Sequence, residues 1–525
     1  MAFVSHPRRT AAFALWMATA FAVGVAGRGA AERSRRAPAP AESAPDPSGV
    51  TAGGEGEMHL VAAAPRTGGA PPATRPSTLR IARSPADLPP LRRPTAVRPL
   101  RTPCRPPRRA SVHVRSLEDG AVLVASRDRM LVNPASNLKI VTAAAAVELL
   151  GPDARLATEL WADGTTLYVR GEGDPALLAR HLFELLDRAS IEVPLSAVDR
   201  VVADASAFAD DGTPAGYPDA DSGDAYLAPV SALSLQFNTV ELVPHPGGLA
   251  ARPVSTAVRI DDRSHVGDGE PRIFVGEDPV GTRILVTGSR RPTARLRARI
   301  VDAPRFVAGA IAHMIAQRTG GPPPRVEIGT VPVEARRVAT HLSPPLASLA
   351  AASLKYSNNF TAEQILRVLG RAHTGQPGTT ASGAAAVVQW WRAIGGNPRE
   401  LVLENGSGLS HATRITTRAI ADVLARIADP ASPSHALLPS LAVAGWDGTL
   451  RHRMPHLEGR IRGKTGTLAG VSALSGIAAG PSGRRAAFSI VQNGVDDIDR
   501  ARREQDAYVQ CLVTHLSAPD GRDAW

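Results

Sequence analysis

The chain has 525 residues, enough for two or three domains with a sizeable core, and its 43% hydrophobic content fits a globular protein. The formal net charge of +11 sits in the tail: residues 1–110 hold 17 arginines against six acidic residues, while the other 415 residues carry 43 charges of each sign. With no zinc-finger spacing and no aromatic-interleaved basic stretch elsewhere, that distribution argues against a nucleic-acid binder.

At the N-terminus, Arg8 and Arg9 precede an uncharged, mostly apolar run from Thr10 to Gly27 and then small residues, the pattern of an export signal over residues 1–31. A membrane anchor is the alternative, since such a run is near the lower limit for spanning. Residues 32–109 are rich in Pro, Ala, Arg and Gly without periodicity, so a disordered linker is expected. Its arginines suit peripheral contact with anionic cell-envelope polymers, although a solvated spacer needs no such contact.

Alternation over Ala110–Arg115 predicts a strand, a turn at Glu118-Asp119-Gly120 follows, and Ala121–Val124 predicts its hairpin partner. An Ala- and Leu-rich helix is expected from Ser136 to Leu150, stopped by Gly151-Pro152. Between 157 and 335 short strands such as Thr166–Arg170, Arg200–Ala203 and Thr239–Val243 are separated by Gly, Pro and Asp turns, which predicts a mainly β insertion. Helical sequence returns at Leu346–Leu354 and Asn359–Leu369, and Ala486–Val491 predicts a late strand. Cys104 and Cys511 flank the folded region; a disulfide between them and two unpaired thiols are both open. No Cys/His cluster has metal-ligand spacing.

Only three of the 60 basic residues are lysines: Lys139, Lys355 and Lys464. Arginine stays protonated, whereas a buried lysine can lose its proton, so a lysine retained here is a candidate for chemistry. Ser136 and Lys139 lie three apart on the expected helix and share a face, the serine at an N-terminus that favours a developing oxyanion. Lys139, desolvated and near another cation, can act as general base to a serine that is otherwise a poor nucleophile. Lys464-Thr465-Gly466-Thr467 suits a strand edge able to bind a carboxylate. Ser357-Asn358-Asn359 precedes a helix and can place a hydroxyl and an amide in a cleft. Each motif alone is weak, but two of three lysines falling in Ser-x-x-Lys and Lys-Thr-Gly by chance is on the order of a few in a thousand.

Together these motifs resemble the penicilloyl-serine transferase superfamily. Flanking sequence narrows the resemblance to the D-alanyl-D-alanine carboxypeptidase/endopeptidase family, the class C low-molecular-mass penicillin-binding proteins. The matching segments are Pro134–Thr142, Val169–Pro175, Tyr356–Gln364, Asn405–Ser410 and Ala444–Leu450. The separation of 221 residues between Ser136 and Ser357 also fits, because that family carries an extra domain there. Glu172 interrupts an expected Gly-Gly pair, and the long arginine-rich leader is atypical.

The resemblance implies an α/β (α+β) β-lactamase/transpeptidase-like domain, residues 110–156 and 336–517, with the mainly β domain, 157–335, inserted between the first and second catalytic motifs. It further implies a periplasmic serine D-Ala-D-Ala carboxypeptidase acting on peptidoglycan stem peptides and covalently inhibited by β-lactams, and leaves endopeptidase activity open. Ser136 would be the nucleophile, Lys139 its base, and Ser357 a proton relay to the leaving amine. Asn359 would hold the substrate amide, while Lys464 and Thr465 with Gly466 and Thr467 would bind the terminal carboxylate and carbonyl. No metal or organic cofactor is implied. Two other readings share the motifs. A β-lactamase or esterase is disfavoured by the long insertion. A non-catalytic peptidoglycan-binding or β-lactam-sensing protein has no use for an activated nucleophile. Lys355 has no assigned role.

Overall fold

The computed structural model describes residues 80–92, 95–98, 104–209, 212–217 and 221–516. The expected export signal and most of the linker therefore lie outside the described residues. Among the described residues no helix is long and apolar enough to cross a membrane.

The chain opens with the hairpin β1 (Ala110–Ser116) and β2 (Val122–Ser126), followed by helix α1 (Leu138–Leu150). Every residue of α1 is buried, which fits its Leu, Ile, Val and Ala content and marks a central rather than an amphipathic helix. Its one carboxylate, Glu148, is satisfied by Arg426 Nε at 2.6 Å, Trp390 Nε1 at 2.9 Å and Ser432 Oγ at 2.9 Å.

The insertion follows. Strands β3 (Ala157–Asp163) and β4 (Thr166–Gly171), helix α2 (Ala179–Ala189) and β5 (Arg200–Asp204) come first. Next are β6 (Thr239–His245), β7 (Gly248–Arg252), β8 (Val258–Asp262), β9 (His265–Val266), β10 (Pro271–Asp278), β11 (Gly281–Arg290) and β12 (Leu296–Arg299). Helix α3 (Ala303–Thr319), β13 (Arg325–Ile328) and β14 (Arg336–Leu342) close it. They form a mixed five-stranded sheet β13-β5-β4-β3-β14, a four-stranded sheet of β10, β11, β8 and β9, and a three-stranded sheet β12-β6-β7. The insertion is mainly β, with two helices. Its sheet takes in β14, which pairs antiparallel with β3 from Arg336–Ala162 to Leu342–Ala157, so its hydrogen bonding runs past the expected boundary at 335.

Helices α4 (Leu346–Lys355), α5 (Asn359–Thr374) and α6 (Thr380–Ala393), the short strands β15 (Leu401–Val402) and β16 (Arg414–Ile415), and α7 (Thr417–Ala428) complete the helical layer. Strands β17 (Ala442–Val443), β18 (Ile461–Leu468), β19 (Val471–Ala479) and β20 (Arg485–Asn493) then join the first hairpin, and α8 (Ile498–His515) ends the fold. The resulting antiparallel sheet, β17-β18-β19-β20-β1-β2, combines the first hairpin with the last four strands. One face of β1 contributes Val112 and Val114 to a core shared with Phe488, Tyr508 and Leu512. Its alternate polar residues are buried as well: Ser111 Oγ meets Thr417 Oγ1 at 2.8 Å and Arg115 bonds Asp422 at 2.6 Å. The alternation that predicts a half-exposed strand is thus met by a second covered face.

The described part of the expected linker is ordered. Leu88 is buried, Ala82 N–H donates to Leu149 O at 2.8 Å, and Leu91 N–H to Ile394 O at 2.7 Å. Arg98 N–H donates to Val122 O, and Val122 N–H to Ala96 O, so this segment also covers the β2 edge. Its prolines suppress periodicity but not docking. Cys104 and Cys511 are paired, joining the segment ahead of β1 to α8. Cys511→Ser is expected to cost about 2–4 kcal/mol, read as a fall of several degrees in Tm against the parent under non-reducing conditions; equal melting would show the link to be redundant.

Candidate active site

The segment around Ser136 is held by its own local contacts. Ser136 sits in a 3-10 turn, Ala135–Asn137, that leads directly into α1. The turn begins with Ala135 at φ 46°, a strained conformation for a residue with a side chain. It is held by Asn133, whose Oδ1 accepts from Ala135 N–H at 2.8 Å and whose Nδ2 donates to Ser410 O at 2.9 Å. Gly408 lies against it so closely that a Cβ there would fall 2.1 Å from Ala135 O.

Lys139 is fully buried, and its Nζ donates to Ser136 Oγ at 3.0 Å, Asn359 Oδ1 at 2.8 Å and Ser407 O at 2.6 Å. Burial lowers its pKa to about 7, against the opposing charge of Glu363. Lys464, also buried, donates to Ser357 Oγ and to Thr465 O, both at 2.7 Å. Burial, reinforced by the positive charge of Lys139, pushes it well below the usual lysine range. Ser357 has φ 60°, and the next residue, Asn358, caps α5 by accepting from Thr361 N–H at 2.8 Å. The cap is thus the middle residue of this motif, which leaves Ser357 to Lys464 and Asn359 to Lys139.

Strand β17 pairs only with Arg462 and Gly463, so from Lys464 onward the outer edge of β18 has no strand partner among the described residues. Gly466 permits the approach of that edge to the nucleophile, since a Cβ would lie 2.8 Å from Pro134 O and 3.1 Å from Ala135 Cβ. With its amide turned to satisfy both ends, Asn137 donates to Lys464 O at 2.9 Å and accepts from Ser475 Oγ at 2.7 Å, tying α1 to the sheet. Thr465 is half-buried; Thr467 is exposed and accepts from Arg502 Nη2 at 3.3 Å. Direct contacts thus join Ser136, Lys139 and Asn359 in one set and Ser357 and Lys464 in another, and the charge of Lys139 is felt at Lys464. Gly466 closes on the nucleophile segment and Thr467 lies farther along the open edge.

The family model for D-Ala-D-Ala carboxypeptidase 3 (S13) matches residues 103–514. The chain belongs to that family. It is 35% identical to a D-alanyl-D-alanine carboxypeptidase of Actinomadura sp. (strain R39), over 69% of this chain and 73% of the relative. It is 27% identical to the carboxypeptidase DacB of Mycolicibacterium smegmatis, over 74% and 77%. In fold it is similar to penicillin binding protein 4 (dacB) of Haemophilus influenzae, with a TM-score of 0.65 at 23% identity, covering 79% of this chain and 98% of that one. A structure of the latter protein complexed with a β-lactam has a TM-score of 0.62. The protein is accordingly a D-Ala-D-Ala carboxypeptidase, a hydrolase with the α/β architecture and inserted β domain that its motifs imply.

Several contacts in this S13 carboxypeptidase have no counterpart in the motif reading. The Ser407 carbonyl is a backbone acceptor, legible only as part of the Asn405–Ser410 match. Glu363 is buried beside it and accepts from Gly406 and Ser407 N–H. From the insertion, the Tyr217 hydroxyl lies 3.1 Å from Ser407 Oγ, and Ala215 O accepts from Asn405 Nδ2 at 2.9 Å. Lys355 pairs with Asp447 Oδ2 at 2.5 Å, while Asp447 Oδ1 accepts from Val443 N–H at 2.8 Å. It thus ties the end of α4 to the turn beside β17, outside the reacting cluster. Gly466→Ala should overpack the β18–nucleophile contact at a cost of about 1–3 kcal/mol and lower D-Ala release at least ~10-fold; wild-type turnover in that variant would show the contact to be slack.

Proposed function

We propose that the enzyme cleaves the terminal D-Ala-D-Ala bond of peptidoglycan stem peptides through an acyl-enzyme on Ser136. The observation that carries this reading is the contact of the buried Lys139 Nζ with the half-buried Ser136 Oγ at 3.0 Å. A neutral Lys139 keeps two N–H donors for Asn359 and Ser407 and turns its lone pair toward the serine hydroxyl. Ser136 Oγ attacks the penultimate D-Ala carbonyl carbon as its proton passes to Lys139. Collapse of the tetrahedral intermediate breaks the C–N bond, and the departing amine takes a proton through Ser357, whose Oγ accepts from Lys464 Nζ at 2.7 Å. Water then hydrolyses the ester, again with Lys139 as base, and restores the serine.

Asn359 holds the substrate amide while it orients Lys139. The backbone N–H groups of Ser136 and Thr467 form the oxyanion site. Lys464, Thr465 and Thr467 receive the terminal carboxylate at the open edge of β18, with Gly466 allowing close approach. A carboxylate beside Lys464 favours its charged form, and that charge in turn favours a neutral Lys139. Substrate binding thereby prepares the base. A β-lactam follows the same first step, but its cleaved amine stays tethered, which supports covalent inhibition; the β-lactam complex of the H. influenzae protein accords with this. A cross-linked peptide presents the same D-Ala carbonyl with a different leaving amine, which makes endopeptidase activity a second expected reaction. Export to the cell envelope is supported by the Cys104–Cys511 pair, a feature of oxidising compartments.

Ser136→Ala should form no adduct with labelled penicillin and release no D-Ala; an adduct elsewhere, or none on the parent, would remove the acyl-enzyme. Because the neutral lysine is the active form, the acylation rate should rise with pH through about 7 and level off above it. Lys139→Arg, which cannot shed its proton, should lower the plateau by roughly 100-fold or more, measured by stopped-flow acylation across the same range.

A further inference from the structure

One turn beyond Asn359 on α5, Glu363 is wholly buried. Its carboxylate oxygens accept from Gly406 N–H at 3.0 Å and Ser407 N–H at 2.8 Å. Ser407 is also the residue whose carbonyl accepts Lys139 Nζ at 2.6 Å, so a single peptide segment connects the acid to the base. Arg367, a further turn along, brings Nη1 within 3.8 Å of the same carboxylate.

A segment of backbone can be anchored by a neutral amide or hydroxyl. An ionised carboxylate out of water is costly, and its two hydrogen bonds and one guanidinium account for its being tolerated. The charge has an effect that a neutral anchor lacks. It opposes the burial that drives Lys139 toward its neutral form, and its field also reaches the Tyr217 hydroxyl. The other charged or titratable groups facing this pair are Lys464 on β18, Arg367 on α5 and Tyr217 on the inserted loop. None of these is an anion: Arg367 is a cation, Lys464 is pushed toward its neutral form and the Tyr217 hydroxyl is held above its ordinary range, so Glu363 supplies the negative charge that Lys139 meets.

We propose that Glu363 is a positioning residue for Lys139: its carboxylate fixes the Gly406–Ser407 backbone that receives the lysine, and supplies negative charge to the lysine's surroundings. This rests on the acyl-enzyme reading, in which Lys139 accepts the Ser136 proton. Burial alone would leave Lys139 neutral at lower pH but correspondingly weak as a base, and efficient general-base catalysis needs a group titrating near the working pH. Glu363 counters that drift while holding the geometry.

The test uses the full chain, with Glu363→Gln and Glu363→Asp. The rate of acylation by a fluorescent penicillin is followed from about pH 5 to 9, and the adduct is located on Ser136 by mass spectrometry. Glu363→Gln removes the charge and one acceptor, so the rising limb should move about one pH unit toward acid while the plateau falls about 10-fold. Glu363→Asp keeps the charge but shortens the reach, so its limb should stay with the parent while its plateau falls. A Glu363→Gln limb that does not move overturns the inference, whatever the plateau, because a loop anchor alone would act on the plateau only. If Glu363→Gln fails to fold in a thermal melt, Glu363→Asp decides: a limb displaced by about one unit, or an unchanged plateau, overturns it. An unacylated parent would sink the acyl-enzyme reading and this inference together, whereas an acylated parent with an unmoved Glu363→Gln limb sinks the inference alone.

Discussion

Removing the Lys139 ammonium from water is the constraint on which the rest of the site depends. A buried cation without partners is too costly to keep, and three acceptors from separate parts of the chain surround this one. Ser136 comes from the turn that starts α1, Asn359 from the first residue of α5, and the Ser407 carbonyl from the loop after β15. Because α1 is buried on every side, its position is set by packing rather than by the site, and the acceptors are brought to it. The same burial that makes the lysine expensive lowers its pKa to about 7, which the proposed role as base requires. Stability and reactivity are here two consequences of one desolvation.

The three lysines divide by what their surroundings ask of them. In the proposed reaction Lys139 changes charge. Lys464, at a strand edge, would there meet the carboxylate of the ligand. Lys355 does neither: its contact with Asp447 secures a turn, and its place near Ser357 in sequence reflects the end of α4 rather than the cleft. Composition drew attention to all three, but only the environment separates their roles. The pairing of Lys355 spans 92 residues of chain and leaves no local pattern.

What was legible followed distance along the chain. Ser136 and Lys139 are helical neighbours, so their contact can be read from spacing, and the strands and helices around them followed from periodicity and turn residues. Contacts that close across the fold could not be read in that way. Glu363 looks like any acid on an exposed helical face until α5 is seen to be buried there, and the Ser407 acceptor is main chain, which every residue possesses. The edge strand β14 has nothing in its composition that assigns it to the inserted sheet; its partner β3 decides that. The prolines around residue 90 hid a docked segment because they remove periodicity without removing apolar surface. The cysteines alone allowed a bond or two thiols, and their juxtaposition needed the last helix in place.

The sheet that joins β1 and β2 to β17–β20 has a consequence for the order in which the protein comes into being. A chain made from its N-terminus presents Ser136 and Lys139 long before Asn359 and the Ser407 carbonyl exist to receive the lysine, and β18, which carries Lys464, comes later still. An unfinished chain therefore holds an ordinary, solvated lysine next to an ordinary serine. The arrangement proposed for catalysis is therefore complete only once β18 has joined the sheet, late in the making of the chain.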